Sequence, residues 1–208
     1  MEQATHKRRA MLAEWDARSF ILPFARLVRR YVAWTERQIK SELVELRLEG
    51  LTDWRGTDPL PPGVEILPLS RCGSEALLRS VYNESGQGCP GFRRARWIDI
   101  IAFIADSSHD RDGIFVARFE GRYIGACVGR YRPSGRGMIY SLAVHPDLRR
   151  RGIARGLLHA TLDYLRRRGA TEARLYVHPE NERALYLYDR EGFQTVAPLP
   201  EAAELAAR

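Results

Sequence analysis

What the chain lacks narrows it first. No run of apolar residues approaches the ~20 needed to span a bilayer. The opening MEQATHKRRAML carries charge that no long apolar stretch follows. No membrane span, no leader and no membrane partner are expected. Cysteine is scarce: Cys72, Cys89 and Cys127 stand alone, and no CxxC pair occurs. The thiolate spacing of zinc sites is missing, so no metal is expected. An odd number of thiols without a leader predicts reduced cysteines in a cytoplasmic protein. There is no low-complexity tract.

What is present is enough apolar material for a core and a surplus of positive charge. Of the 208 residues, 45% are hydrophobic and 28% charged, with a net charge of +7. The isoelectric point is about 9.7. Such a chain attracts anions: nucleic acid, an anionic surface or a phosphorylated small molecule. Charge alone does not choose among them.

The chain divides by pattern into three parts. Residues 1–51 read as a helical extension. Val28, Val32, Thr35, Ile39, Leu43 and Leu46 form a largely apolar stripe, and Gly50 is a plausible stop. TDWRGTDPLPPG, residues 52–63, reads as a linker. From residue 64 to 208 strands and helices alternate. VEILPL (64–69) is a strand, and SEALLRSVYNE (74–84) and FRRARWIDIIAFIAD (92–106) are helices. GIFVARFEGRYIGACVGRY (113–131) is a hairpin about Glu120-Gly121, and MIYSLAV (138–144) is a third strand. A helix ending near Gly169 follows, then strand ARLYV (173–177), helix ERALYLYDREG (182–192) and strand FQTV (193–196). The order predicts an α/β (α+β) fold with a mixed sheet flanked by helices.

The stretch VHPDLRRRGIARGLL (144–158) concentrates the chemistry. Ile153, Leu157, Leu158, Thr161, Leu162 and Leu165 follow helical spacing. Arg149, Arg150, Arg151 and Arg155 therefore sit near a helix N-terminus, which already carries unpaired N–H groups and the positive dipole end. Cations there are unfavourable unless an anion meets them. Gly152 allows close backbone approach, and Ala154 keeps the next turn small. The N–H groups of about residues 151–155, Ile153 included, would face a phosphate. The turn is neither GxxxxGK[ST] nor GxGxxG, which sets aside a P-loop NTPase or Rossmann site.

R149-R-R-G152-I-A154 fits R/Q-x-x-G-x-G/A. It follows a strand ending LAVHP and precedes N181-ERA184-LYLY188-DREG192-F193. In that order these motifs resemble the GNAT superfamily of acyl-CoA-dependent N-acyltransferases. The likeness covers about residues 64–196, is strongest over 138–193, and leaves residues 1–55 outside. A narrower likeness to acetyltransferase domains related to mycothiol synthases carries no substrate. The resemblance implies a GNAT-like, mostly antiparallel sheet and acetyl-CoA as co-substrate. It implies that Arg149, Arg150, Arg151, Gly152, Ile153, Ala154 and Arg155 cradle the pyrophosphate. Leu142, Ala143 and Val144 would offer backbone groups to the pantetheine arm, and Asn181 would contact the cofactor. Tyr188 would protonate the departing thiolate.

Acyl transfer to an amine needs a proton acceptor, donors for the carbonyl oxygen and an acid for the leaving sulfur. A phenol is protonated at neutral pH, so Tyr188 suits the last role; core packing is its ordinary alternative. Asn181 also suits a helix N-cap. The base is less legible. One branch of the family, the ribosomal-protein alanine N-acetyltransferases, has Glu five residues before the Asn; here Tyr176 fills that slot. Glu84, Tyr140, Ser141 or an ordered water are the other candidates, and Glu84 reads equally as a surface residue. His145 and His178, each in a V-H-P context, read as turn residues, with His178 a weak base candidate. Cys127 reads as a core thiol.

The reading is an N-acyltransferase acting on a small-molecule or peptide amine. Its acceptor pocket is expected from about residues 82–98 and the 131–138 turn. A non-catalytic acyl-CoA-binding module is the alternative, given the missing Glu. A nucleic-acid-binding protein fits less well, because the arginines cluster beside a glycine rather than along a stripe with exposed aromatics. The N-terminal stripe can pack on the domain, pair two subunits as a homodimer, or present its mixed-charge face to an anionic surface.

Overall fold

A computed structural model describes residues 43–56, 59–105, 109–132 and 134–196. Alternating or continuous apolar runs become the strands. These are β1 (Val44–Leu48), β2 (Val64–Pro68), β3 (Ile114–Phe119), β4 (Arg122–Arg132), β5 (Arg136–Val144), β6 (Glu172–Val177) and β7 (Gln194–Thr195). They form one seven-stranded sheet in the order β2-β3-β4-β5-β6-β1-β7. Neighbours are antiparallel, except that β5 and β6 run parallel. The helices are α1 (Leu69–Cys72), α2 (Glu75–Ser85), α3 (Trp97–Ala105), α4 (Ile153–Arg167) and α5 (Glu182–Arg190). The mixed, mostly antiparallel sheet with flanking helices is the fold class read from the sequence.

The apolar stripe of α4 determines one layer. Ile153, Leu157, Leu158, Thr161, Leu162 and Leu165 are buried and share a core with Phe115, Cys127, Ile139 and Leu175. The helix lies so close to β4 that a Cβ on Gly129 would come 2.4 Å from the Thr161 methyl. Thr161 cannot yield easily, being fully buried with its hydroxyl donating to the Leu157 carbonyl at 2.9 Å. On the other face, Leu69, Leu78 and Val81 of α1 and α2 pack against Ile114, Val116, Ala126 and Val128. The hairpin joins Phe119 to Arg122. Glu120 and Gly121 both take positive φ, at 48° and 77°, as a two-residue I′ turn requires.

Three expectations are corrected. The helical extension was expected to run through residue 51, but Val44–Leu48 is a strand. It pairs antiparallel with both β6 and β7 and fills the gap between them. VELRL alternates, with Leu46 and Leu48 buried while Glu45 and Arg47 are half-buried on the other face; that period of two outweighs the helical spacing that ends at Leu46. The rest of the stripe, Val28 to Ile39, lies outside the described residues. The supposed linker at 52–63 is folded onto the domain where it is described. Leu51 just before it is fully buried. The Trp54 ring meets His159 edge-on at 5.1 Å, and Leu60 lies against Gly156. Finally, the helix expected from residue 92 starts at Trp97. The buried Asn83 holds residue 95 in the loop through both its backbone groups: the Ala95 N–H donates to Oδ1 at 2.7 Å and the Ala95 carbonyl accepts from Nδ2 at 3.1 Å. Asp99 then accepts the Arg96 N–H at 2.8 Å, the carboxylate half of a capping box, at the start of the helix.

Adding a methyl at Gly129 forces α4 off the sheet, so Gly129→Ala is expected to lose about 1–3 kcal/mol, read as a lower Tm. Leu46→Ala is expected to lose about 2–5 kcal/mol. An unchanged melting curve for Leu46→Ala would mean that β1 is not part of the folded sheet.

Candidate active site

The site begins where two strands part. β5 pairs with β4 along its length, but with β6 only from Arg136↔Glu172 to Ile139↔Leu175. On the β4 side the register jumps there: Val128 faces Ser141 and Gly129 faces Ile139, leaving Tyr140 as the extra residue of a bulge. A bulge bends the strand that carries it, and beyond it residues 141–144 leave β6. The His145 N–H donates back to the Ile124 carbonyl at 2.7 Å. Strand alternation then turns Ala143 toward β4, and leaves the N–H and C=O of Leu142 and the N–H of Val144 on the open edge. Of the three residues expected to meet a pantetheine arm, Leu142 and Val144 present backbone to the cleft and Ala143 does not.

Below this edge lies the arginine turn. Arg150 and Gly152 both take left-handed conformations, at φ 61° and 82°. Alternating conformations of this kind aim successive N–H groups to one side, as an anion-binding nest does. α4 begins at Ile153 with no acidic residue in its first turn. The arginines divide in role. Arg149 is tied to protein: Nε donates to the Val144 carbonyl at 3.0 Å, and Nη2 to the carbonyls of Ser85 at 3.0 Å and Gln87 at 2.6 Å. It fixes the end of β5 to the loop after α2. Arg155 pairs with Glu191 at 2.7 Å. Arg150 and Arg151 are exposed, as is Gly152, and Ala154 is half-buried. An incoming anion would meet Arg150, Arg151 and the N–H groups at the start of α4.

The loop after α2 roofs the cleft. The Cys89 thiol is 3.5 Å from Arg149, and Gly91 lies against the His178 ring. Tyr188 of α5 is buried against Phe193, with ring centroids 5.6 Å apart. Burial, reinforced by the thiols of Cys127 and Cys89, pushes its phenol well above the ordinary tyrosine range. Its hydroxyl makes no hydrogen bond among the described residues. Asn181 caps α5, its Oδ1 accepting the Ala184 N–H at 3.3 Å.

Tyr176 is the first residue of β6 past the last pair with β5. Its hydroxyl donates to Glu45 Oε2 at 3.2 Å, while Arg174 donates to Oε1 at 3.0 Å. A carboxylate therefore does reach this position, from the strand inserted beside β6. Sequence reasoning missed it because the two residues are 131 apart; the alternation of VELRL was the available signal. Glu84 lies on the exposed side of α2, accepting from Ser80 at 2.8 Å, and is not brought to the cleft. His145 and His178 accept the N–H groups of Asp147 and Glu180 through Nδ1, as turn residues do. Cys127 is wholly buried, and burial raises its thiol to about 12.

A pocket of about 300 Å³ adjoins the bulge. Leu78 and Tyr82 of α2, residues 93–96 and the start of α3 line it, with Tyr140 and Ser141 on β5. The 82–98 segment contributes as expected, whereas the 131–138 turn gives way to Tyr140. The Tyr140 hydroxyl accepts from Arg132 at 2.6 Å. Among the described residues no group of three or more His, Cys, Asp or Glu could hold a metal ion. No helix among them is long and apolar enough to cross a membrane.

Solved structures share this architecture. A GCN5-related N-acetyltransferase from Sphaerobacter thermophilus superposes with a TM-score of 0.59 at 22% identity, over 74% of this chain and 48% of that one. Arabidopsis thaliana Naa50, in complex with a CoA-Ac-MVNAL bisubstrate analogue, gives a TM-score of 0.50 at 23% identity, over 64% and 83%. In sequence, a mycothiol acetyltransferase of Acidimicrobium ferrooxidans is 40% identical over 98 residues, 45% of this chain and 32% of that protein. The chain thus matches about a third of that curated relative's length. Residues 78–193 match the Acetyltransferase (GNAT) family, more than half of the chain, from within α2 to just past α5. The chain belongs to the GNAT acetyltransferase family.

Proposed function

We propose that the protein is an acetyl-CoA-dependent N-acetyltransferase that transfers the acetyl group directly to a primary amine within a ternary complex. The observation that carries this reading is the open backbone edge at Leu142 and Val144, followed by the arginine turn; Tyr188, its hydroxyl without a hydrogen bond among the described residues, belongs to the same core cluster as Val144, against which Leu142 packs. Acetyl-CoA would supply the activated acyl group as a thioester. Arg150, Arg151 and the first N–H groups of α4 would hold its pyrophosphate, and Asn181 and the Leu142–Val144 edge its arm. A backbone N–H on that edge would steady the charge that grows on the carbonyl oxygen.

The attacking amine must lose a proton. Tyr176, hydrogen-bonded to Glu45, offers a path from the cleft to a carboxylate. The amine lone pair forms the new C–N bond, the C–S bond breaks, and the sulfur takes the Tyr188 proton. Because that phenol is raised above its ordinary range, it stays protonated throughout the neutral and mildly alkaline range.

Calorimetric titration with acetyl-CoA should show saturable one-site binding; none at up to about 1 mM would reject the reading. Binding without turnover on any amine would point to a carrier module instead. Tyr188→Phe is expected to lower kcat by about a hundredfold with acetyl-CoA affinity unchanged; an equal kcat removes Tyr188 from the chemistry. The wild-type rate should show no alkaline fall due to Tyr188 below pH of about 10. Glu45→Gln, which keeps the hydrogen-bonding shape, should lower kcat without changing the acetyl-CoA Kd. Two arginine variants should separate. Arg149→Met loses carbonyl ties and is expected to lower stability by about 2 kcal/mol. Arg151→Met should leave Tm unchanged and weaken acetyl-CoA binding.

A further inference from the structure

The pocket beside the bulge carries a charge that the transfer chemistry does not use. Its deeper wall is apolar, with Leu78, Ile100, Phe103 and Val128. Its polar lining is one-sided: Arg79, Arg93, Arg94 and Arg96 stand against the single carboxylate of Asp99. That carboxylate is already engaged, holding the Arg96 N–H at 2.8 Å and its Nε at 3.3 Å. Arg79 stacks over Trp97 at 4.6 Å, and its Nε is buried with no hydrogen-bond partner. Arg93 and Arg94 make no ion pair or hydrogen bond among the described residues. The positive field of Arg93 reaches Tyr82 in the same pocket, where it opposes the upward push of burial on the phenol.

Guanidinium groups gathered around a concave, partly apolar site create a positive potential that attracts an anion. Arginine's planar fork suits carboxylate and phosphate oxygens in particular. Tyr140 and Ser141 also line the pocket, immediately before the open edge at Leu142. A molecule lying in this pocket therefore shares it with both the arginines and the residues that lead into the open edge.

We propose that the acceptor is a small amine bearing an anionic group, recognised by Arg79, Arg93 and Arg94 while its amine faces Ser141. This rests on the acetyltransferase reading and adds the substrate class to it. A volume of about 300 Å³ suits a compact molecule rather than a folded partner. Carboxylate and phosphate share the recognising chemistry, and matched probes separate them.

The test uses the full chain saturated with CoA, after acetyl-CoA binding has been shown by itself. Phosphoethanolamine is titrated against ethanolamine, and β-alanine against β-alaninamide. At least one anionic member should bind about tenfold or more tightly than its neutral partner. The preferred pair identifies phosphate or carboxylate. An Arg93→Gln/Arg94→Gln double variant should lose that preference while its CoA affinity and Tm stay unchanged; both residues are exposed, so folding is not at stake. Equal binding within both pairs, no binding of either anionic probe at up to about 10 mM, or a preference unaltered by the double variant would overturn the proposal. Failure of acetyl-CoA to bind at the outset would instead overturn the acetyltransferase reading.

Discussion

The divergence of β5 from β6 after Ile139 and Leu175 is the constraint on which the site depends. Strands in a sheet ordinarily satisfy one another, and an interior edge left open is costly unless something else pairs with it. Here the divergence is built in by one surplus residue, Tyr140. On the other side of β5 the ladder with β4 continues to Val144, so the strand stays ordered while one side is vacant. The vacancy is held open by contacts that do not depend on ligand. Arg149 ties the strand end to the loop after α2, and α4 is locked on the back of the sheet by Gly129 and Thr161.

Charge is distributed around this opening according to partner. Arginines that meet carbonyls or carboxylates, such as Arg149, Arg155 and Arg174, behave as braces. Arg93 and Arg94, without an ion pair or hydrogen bond among the described residues, line the pocket beside the bulge, and the exposed Arg150 and Arg151 sit at the turn. The left-handed conformation of Arg150 is unfavourable for a side chain with a Cβ. It stands two residues before Gly152, which is left-handed as well.

Much of this was legible in the sequence because it is local. The α4 stripe, the Glu120-Gly121 hairpin and the RRRGIA turn are set by residues within a few positions of one another, and each formed where expected. The division of labour among the arginines was not legible. Whether Arg149 meets a phosphate or the carbonyls of Ser85 and Gln87 depends on a loop some sixty residues earlier. β1 was misread for a related reason. A strand's own five residues say little when its stability comes from β6 and β7, which are more than 120 positions away. The late start of α3 likewise depends on the side chain of Asn83, a contact that propensity does not contain.

β1 has a consequence for how the molecule assembles. It is made first, yet both its neighbours in the sheet, β6 and β7, belong to the last part of the chain. During synthesis, at about 5–20 residues per second, Val44–Leu48 waits many seconds with both edges unpaired. Closing so long a loop makes the pairing a high-contact-order, late event. β6 and β7, parallel and one strand apart, remain an open slot until then. Completion of the sheet, and with it the placement of Glu45 beside Tyr176, therefore waits for the last part of the chain to be made.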